Sequence, residues 1–150
     1  MKIQKLNNKD TYPMDLLLTA DPDPAMVAKY ITNGECFAAM EENRIRGVYI
    51  LVKTKPETAE IVNIAVQSQY QGKGIGKRLL RDAEYRTKAM GLKRLEIGTG
   101  NSSIGQLALY QKCGFRLDKI IHDFFLEHYS EPIFENGIAC RDMIRLYKMM

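Results

Sequence analysis

The chain has 150 residues, 45% of them hydrophobic and 27% charged, and a net charge of +4. This length suits a single domain spanning residues 1–150, and the composition excludes a disordered, fibrous or disulfide-dependent miniature protein. Lys and Arg are spread along the chain rather than gathered in one run, which argues against a nucleic-acid partner.

Along the chain, the opening MKIQKLNNKD has no apolar segment of the kind that marks a secretory signal. No apolar run reaches the ~20 residues of a membrane helix. Cys36, Cys113 and Cys140 are odd in number and lack paired spacing, so free thiols and a cytoplasmic protein are expected. Residues 12–18 and 24–30 read as short helices, the second capped by Asp23 with Pro24 at its first position. Residues 35–40 and 47–53 read as strands joined by the polar turn Glu41-Glu42-Asn43, and 60–66 as a third strand. A helix is expected over about 75–90, with Ile75, Leu79, Leu80 and Ala83 on one face and Gly91 closing it. Then follow a strand at 94–98, a helix from Ser102 or Ser103 to about 112 closed by Gly114, and a strand starting at 115–117. A polar and aromatic excursion over 118–139 precedes a last strand over 140–149. This order predicts an α/β fold with a central sheet and helices on its faces.

Between the third strand and the long helix lies Gln71-Gly72-Lys73-Gly74-Ile75-Gly76-Lys77. A strand, a glycine-rich turn and a helix start together offer bare backbone N–H groups and the positive end of a helix dipole to an anion. Lys73, Lys77 and Arg78 add countercharge, so a phosphorylated ligand is expected. A Walker loop is excluded, because Gly76-Lys77 has Gln71 where its first glycine belongs and Arg78 where Ser or Thr belongs. A dinucleotide fingerprint fails too, since its third glycine would fall on Lys77 or Leu79. Taken alone, the glycines have a second reading as a tight strand-to-helix turn.

The stretch from Val66 to Gly76 resembles the central motif of the GNAT superfamily of N-acetyltransferases, Gln/Arg-x-x-Gly-x-Gly/Ala. Leu109-Tyr110-Gln111-Lys112-Cys113-Gly114-Phe115 resembles its second mark, Leu-Tyr followed by Lys-x-Gly-Phe. The resemblance covers about residues 60–117. It implies a GNAT fold, with a mixed, mostly antiparallel sheet splayed in the middle and flanked by helices on both faces. It implies transfer of an acetyl group from acetyl-CoA to a primary amine by direct attack in a ternary complex, without a metal. A non-catalytic acyl-CoA binder or sensor on the same fold is the alternative. By the same resemblance Gln71, Gly72, Lys73, Gly74, Ile75, Gly76 and Lys77 hold the coenzyme diphosphate. Ile64, Ala65 and Val66 pair their backbone with the pantetheine arm, and Asn101 and Ser103 lie near it. A backbone N–H near Val66 meets the oxyanion.

Tyr110 takes the place of the family's general acid, since a phenol of pKa about 10 can protonate a departing thiolate. Its other reading is an aromatic that packs a helix on the sheet. Glu60 resembles the general-base Glu of the histone acetyltransferase branch, with a solvated strand-edge carboxylate as its other reading. The sequence departs from the family at Ser103, which stands where many members have Asn seven residues before the tyrosine; Asn101 lies nine before. The acceptor pocket is expected from the N-terminal helices and from 118–139, where His122, Asp123, Phe124, Phe125, Glu127, His128, Tyr129, Glu131 and Glu135 occur. Carboxylates beside aromatics suit a cationic amine, small or protein-borne. The excursion also reads as a solvated loop or a homodimer contact, and His122, Asp123 and His128 match no metal-ligand spacing.

Overall fold

A computed structural model describes residues 1–150. In chain order the elements are β1 (Lys2–Leu6), α1 (Met14–Ala20), α2 (Pro24–Asn33), β2 (Glu35–Glu41), β3 (Arg44–Lys55), β4 (Thr58–Val66), α3 (Ile75–Ala89) and β5 (Arg94–Gly100). They continue with α4 (Ile104–Lys112), β6 (Arg116–Ile121), α5 (Phe124–His128), β7 (Phe134–Glu135), β8 (Ile138–Ala139) and β9 (Met143–Met149). One seven-stranded sheet runs β1-β2-β3-β4-β5-β9-β6, with β7 and β8 forming a separate hairpin. All neighbours in the large sheet are antiparallel except β4 and β5. The mixed, mostly antiparallel sheet of the sequence reading is the observed one. No helix is long and apolar enough to cross a membrane.

Local chemistry accounts for several of these boundaries. The Asp23 carboxylate accepts from the Ala25 N–H at 2.9 Å, and Pro24 opens α2. Glu42 and Asn43 both take positive φ, 53° and 60°, which turns β2 into β3 with the twist that a two-residue hairpin needs. On α3 the side chains of Ile75, Leu79, Leu80, Ala83 and Thr87 are buried, a stripe at helical spacing.

The sheet has a core on each side. The larger gathers Phe37, Tyr49, Ile61, Leu95 and Ile97 from the strands with Leu79 and Leu80 of α3 and Tyr110 of α4. The smaller packs Leu16 and Leu17 of α1 and Val27 of α2 against Cys36, Val48, Ile50 and Ala65. Strand β4 serves both because alternate side chains point to opposite faces, and its register with β3 shifts between Ile50 and Leu51. That bulge, opposite Val62, lets Ile61 and Ile64 both pack against the larger core.

The same strand creates the opening that matters most. β4 pairs with β5 only from Thr58↔Arg94 to Ile61↔Ile97. Beyond that, β4 runs on to Val66 and β5 to Gly100 without bonding to each other. The sheet is closed at one end of this pair and open at the other, and helices flank the opening.

Four parts differ from the expectation. β1 is an edge strand at Lys2–Leu6, where no element is expected. β6 continues to Ile121, and the excursion contains α5 and the β7–β8 hairpin. The last strand begins at Met143, not at residue 140.

Candidate active site

Backbone amides dominate the mouth of the opened strand pair. Gly74 sits at φ 83°, a left-handed conformation that favours glycine, and it starts α3 without any side-chain cap. No acceptor in the chain meets the N–H groups of residues 72–77; the first α3 amide to bond is that of Arg78, to the Gly74 carbonyl at 3.1 Å. A run of unpaired donors at the start of a 15-residue helix is an anion site. Below the loop, the Arg46 guanidinium lies 4.1 Å and the Lys73 ammonium 5.4 Å from the centre of the Tyr70 ring. The Gln71 side chain donates to the Val66 carbonyl at 3.1 Å and ties the loop to the end of β4.

This loop borders a cleft of about 690 Å³ lined by Ile64, Ala65, Val66, Gln71, Gly72, Gly74, Ile75, Gly76 and Lys77, with Gly105, Gln106, Leu109 and Tyr110 of α4 opposite. Lys73 is not in the lining, and the Arg78 guanidinium is turned to the Met1 carbonyl at 3.0 Å. The donor set, the lysine and the free β4 edge fit a diphosphate followed by an extended amide-bearing arm.

A second cleft of about 380 Å³ lies over the gap between β4 and β5. It is walled by residues 61–64 of β4 and 97–100 of β5, by residues 19–22 at the end of α1 and just beyond it, and by Phe125, Tyr129, Ile133 and Glu135. Thr19, Ala20, Ile64, Gln106 and Tyr110 line both clefts. The Tyr110 side chain is 3% exposed, and burial, with no hydrogen bond to offset it, raises its phenol above the ordinary 10.0. The group therefore carries its proton at neutral pH and has it available to donate.

Other expected residues lie elsewhere. Glu60 lines neither cleft; its carboxylate accepts from the Arg145 guanidinium at 2.9 Å, inside a charge network with Glu96. Asn101 also lines neither. Its oxygen accepts from the Arg141 and Asp142 N–H groups at 2.8 and 3.0 Å, and its amide donates to the Ala139 carbonyl at 3.1 Å. These bonds clamp the chain ahead of β9. Ser103 borders the second cleft, where its hydroxyl donates to Glu135 at 2.8 Å. His122 faces Asp142 and Asp123 faces Arg141, and no three His, Cys, Asp or Glu side chains gather as a metal site.

The second cleft also contains residues that the sequence reading does not single out, Asp21 and Asn63 above all. Asp21 accepts from the Tyr129 hydroxyl at 2.9 Å and from the Tyr30 hydroxyl at 3.3 Å. Asn63 donates to the Leu17 carbonyl at 2.9 Å and to the Tyr30 oxygen at 2.7 Å. A polar residue inside the apolar run of β4 is the one signal that points to Asn63.

A site with an anion-binding helix start, a free strand edge and a proton-bearing phenol between two clefts belongs to an enzyme that moves an acyl group from a phosphorylated carrier to a second substrate. The comparisons agree: the family model described as Acetyltransferase (GNAT) family matches residues 4–115. The chain belongs to the GNAT acetyltransferase family and is an acetyltransferase. It is 55% identical to the uncharacterized N-acetyltransferase YvbK of Bacillus subtilis (strain 168), with 98% of each chain covered. A GNAT family acetyltransferase from Elizabethkingia anophelis, solved with acetyl-CoA bound, superposes with a TM-score of 0.97 at 47% identity, covering 99% of this chain and 97% of that one. A Bacillus subtilis acetyltransferase solved in complex with CoA gives a TM-score of 0.94 at 54% identity, covering 99% and 98%.

Proposed function

We propose that this protein, a single domain over residues 1–150, transfers an acetyl group from acetyl-CoA to a primary amine, with both substrates bound at once. The observation that carries this reading is the position of Tyr110, a buried phenol on the shared wall of an amide-lined cleft and a carboxylate-lined cleft. Relatives with acetyl-CoA or CoA bound support the carrier.

The N–H groups of residues 72–77 and the Lys77 ammonium bind the diphosphate, and the backbone of Ile64 to Val66 positions the arm along the open β4 edge. The bound carrier supplies an acetyl group activated as a thioester. Tyr110 holds a proton for the departing sulfur. The attacking amine enters from the second cleft and loses its proton to water there. Glu60, tied to Arg145 away from both clefts, has no part in that step. The Cys36, Cys113 and Cys140 thiols are free, which suits the reducing cytoplasm we propose as its compartment.

Replacing Tyr110 with Phe removes the proton and keeps the ring. Turnover, read as thiol release in the presence of an amine, should fall about 10²-fold or more, the usual worth of a positioned acid. Calorimetric affinity for acetyl-CoA should persist. A Tyr110→Phe enzyme that turns over at the wild-type rate would remove Tyr110 from the mechanism.

A further inference from the structure

Half of the partly or fully buried carboxylates in this chain are matched to a Lys or Arg: Glu60, Asp82, Glu84 and Glu96 each lie within 4.0 Å of such a nitrogen. Asp21, Asp23, Glu135 and Asp142 do not. Asp21 accepts from two tyrosine hydroxyls and, at 3.2 Å, from the Asp23 N–H; Glu135 accepts from the Ser103 hydroxyl at 2.8 Å and the Ser102 hydroxyl at 3.4 Å. All these donors are neutral. Both carboxylates line the second cleft, whose lining includes no Lys, Arg or His. In a chain of net charge +4, two carboxylates and no basic side chain line the acceptor cleft.

A separate observation points to a ligand at the same place. Asn63 is 4% exposed and lines this cleft, and its side-chain oxygen has no hydrogen-bond partner. Its amide nitrogen is already committed to Leu17 and Tyr30, so the orphan atom is an acceptor by the logic of the network. A buried acceptor without a donor is unfavourable, and a ligand N–H would satisfy it.

The chemistry of acetylation then separates two kinds of acceptor. An attacking ammonium gives up its charge, and its acetylated product is a neutral amide. Attraction to that nitrogen alone is thus lost as the reaction proceeds. Carboxylates contribute throughout the reaction only if they face a positive charge that persists. We infer that the acceptor is a dication, a primary amine carrying a second, non-reacting cationic group held by Asp21, Glu135 and the Asn63 carbonyl. The inference rests on the amine reading above. Phe125, Ile133 and Met143 in the same lining cover the hydrocarbon between the two charges.

The test compares 1,4-diaminobutane and its longer homologues with n-butylamine and 4-aminobutanoate, all by thiol release. The best diamine should exceed n-butylamine in kcat/KM by about tenfold or more, the worth of one charge-assisted hydrogen bond, and 4-aminobutanoate should be the poorest. Asp21→Asn and Glu135→Gln keep the shape and remove the charge. Each should raise KM for the diamine more than it lowers kcat, while KM for acetyl-CoA stays put. Calorimetry of diamine binding to the CoA-loaded protein gives a readout free of turnover. If n-butylamine or 4-aminobutanoate matches the diamines, or if neither variant weakens diamine binding, the inference is overturned. If no amine releases thiol, yet the diamine binds and Asp21→Asn weakens it, the cation site stands and the amine-transfer reading falls.

Discussion

At the scale of single residues, Gly98 shows how tightly the neighbourhood of the site is packed. A Cβ there would come within 2.5 Å of the Met143 sulfur and 2.8 Å of the Arg145 guanidinium. That guanidinium crosses bare backbone to reach Glu60 at 2.9 Å and Glu96 at 3.3 Å. Because the obstructing atoms are ends of flexible side chains, Gly98→Ala should fold and lose about 1–3 kcal/mol, the usual cost of overpacking. Gly105 in α4 is the control, since nothing lies within 4 Å of its added Cβ. There alanine should gain about 0.5–1 kcal/mol from helix propensity. Thermal melts of both variants check the pair, and equal shifts would contradict the packing argument.

The same residues mark the limit of reading a sequence. The glycine loop and the Leu-Tyr and Lys-x-Gly-Phe marks are local strings, so Gly72, Gly74 and Tyr110 stand out from their neighbours alone. The partners of Glu60 and Asp21 are not local. Arg145 is 85 positions from Glu60, and Tyr129 is 108 positions from Asp21. A carboxylate next to a motif looks like a base until a distant strand brings it an arginine.

At the scale of elements, charge stitches together the strands beside the opening. Glu60 on β4, Arg94 and Glu96 on β5, Arg145 on β9 and Asp118 on β6 form one chain of contacts. Burial pushes the Glu96 carboxyl up, but the Arg94 hydrogen bond and the charges of Lys55, Arg145 and Arg94 outweigh it and hold it below the ordinary 4.5. A depressed carboxyl contributes stability above its unfolded value, and that contribution disappears as pH falls through the folded one. The melting temperature should therefore hold from neutral pH down to about 5 and fall below 4.5. Glu96→Gln should start lower and fall less steeply. A variant with the wild-type slope would show that this carboxylate is not what acid attacks.

Element boundaries were legible where periodicity or a cap is strong. The stripe on α3, the Asp23-Pro24 start of α2 and the β-branched run of β3 are of this kind. β1 escapes because KIQKL is short, charged and at an edge, with only Ile3 and Leu6 partly buried. The β7–β8 hairpin carries a local signal in Asn136-Gly137, which at φ 56° and 73° is the two-residue turn that joins such strands. β6 shows no alternation to read, since every one of its residues is exposed.

At the scale of the whole molecule, the order of the strands decides what the enzyme can do. β4 and β5 are the one parallel pair in the large sheet, and they part after Ile61 and Ile97. Their separation exposes backbone at the centre of the protein rather than at its rim, with α1 on one side of β4 and α3 on the other. The order of elements from residue 35 to 117 was legible as an α/β pattern. The parting was expected only through the family likeness, because hydrophobic patterning does not record where two buried strands stop pairing.

Thr19, Ala20, Ile64, Gln106 and Tyr110 line both clefts, so the two adjoin there. One molecule is expected to reach across both as a single trough. A conjugate that joins the coenzyme sulfur through an acetyl bridge to a diamine should outbind coenzyme A by roughly 10²-fold or more in a competition titration, because its second half docks without a separate encounter. Parity between the two would mean that the trough is interrupted, and such conjugates would then offer no route to selective inhibitors of this enzyme.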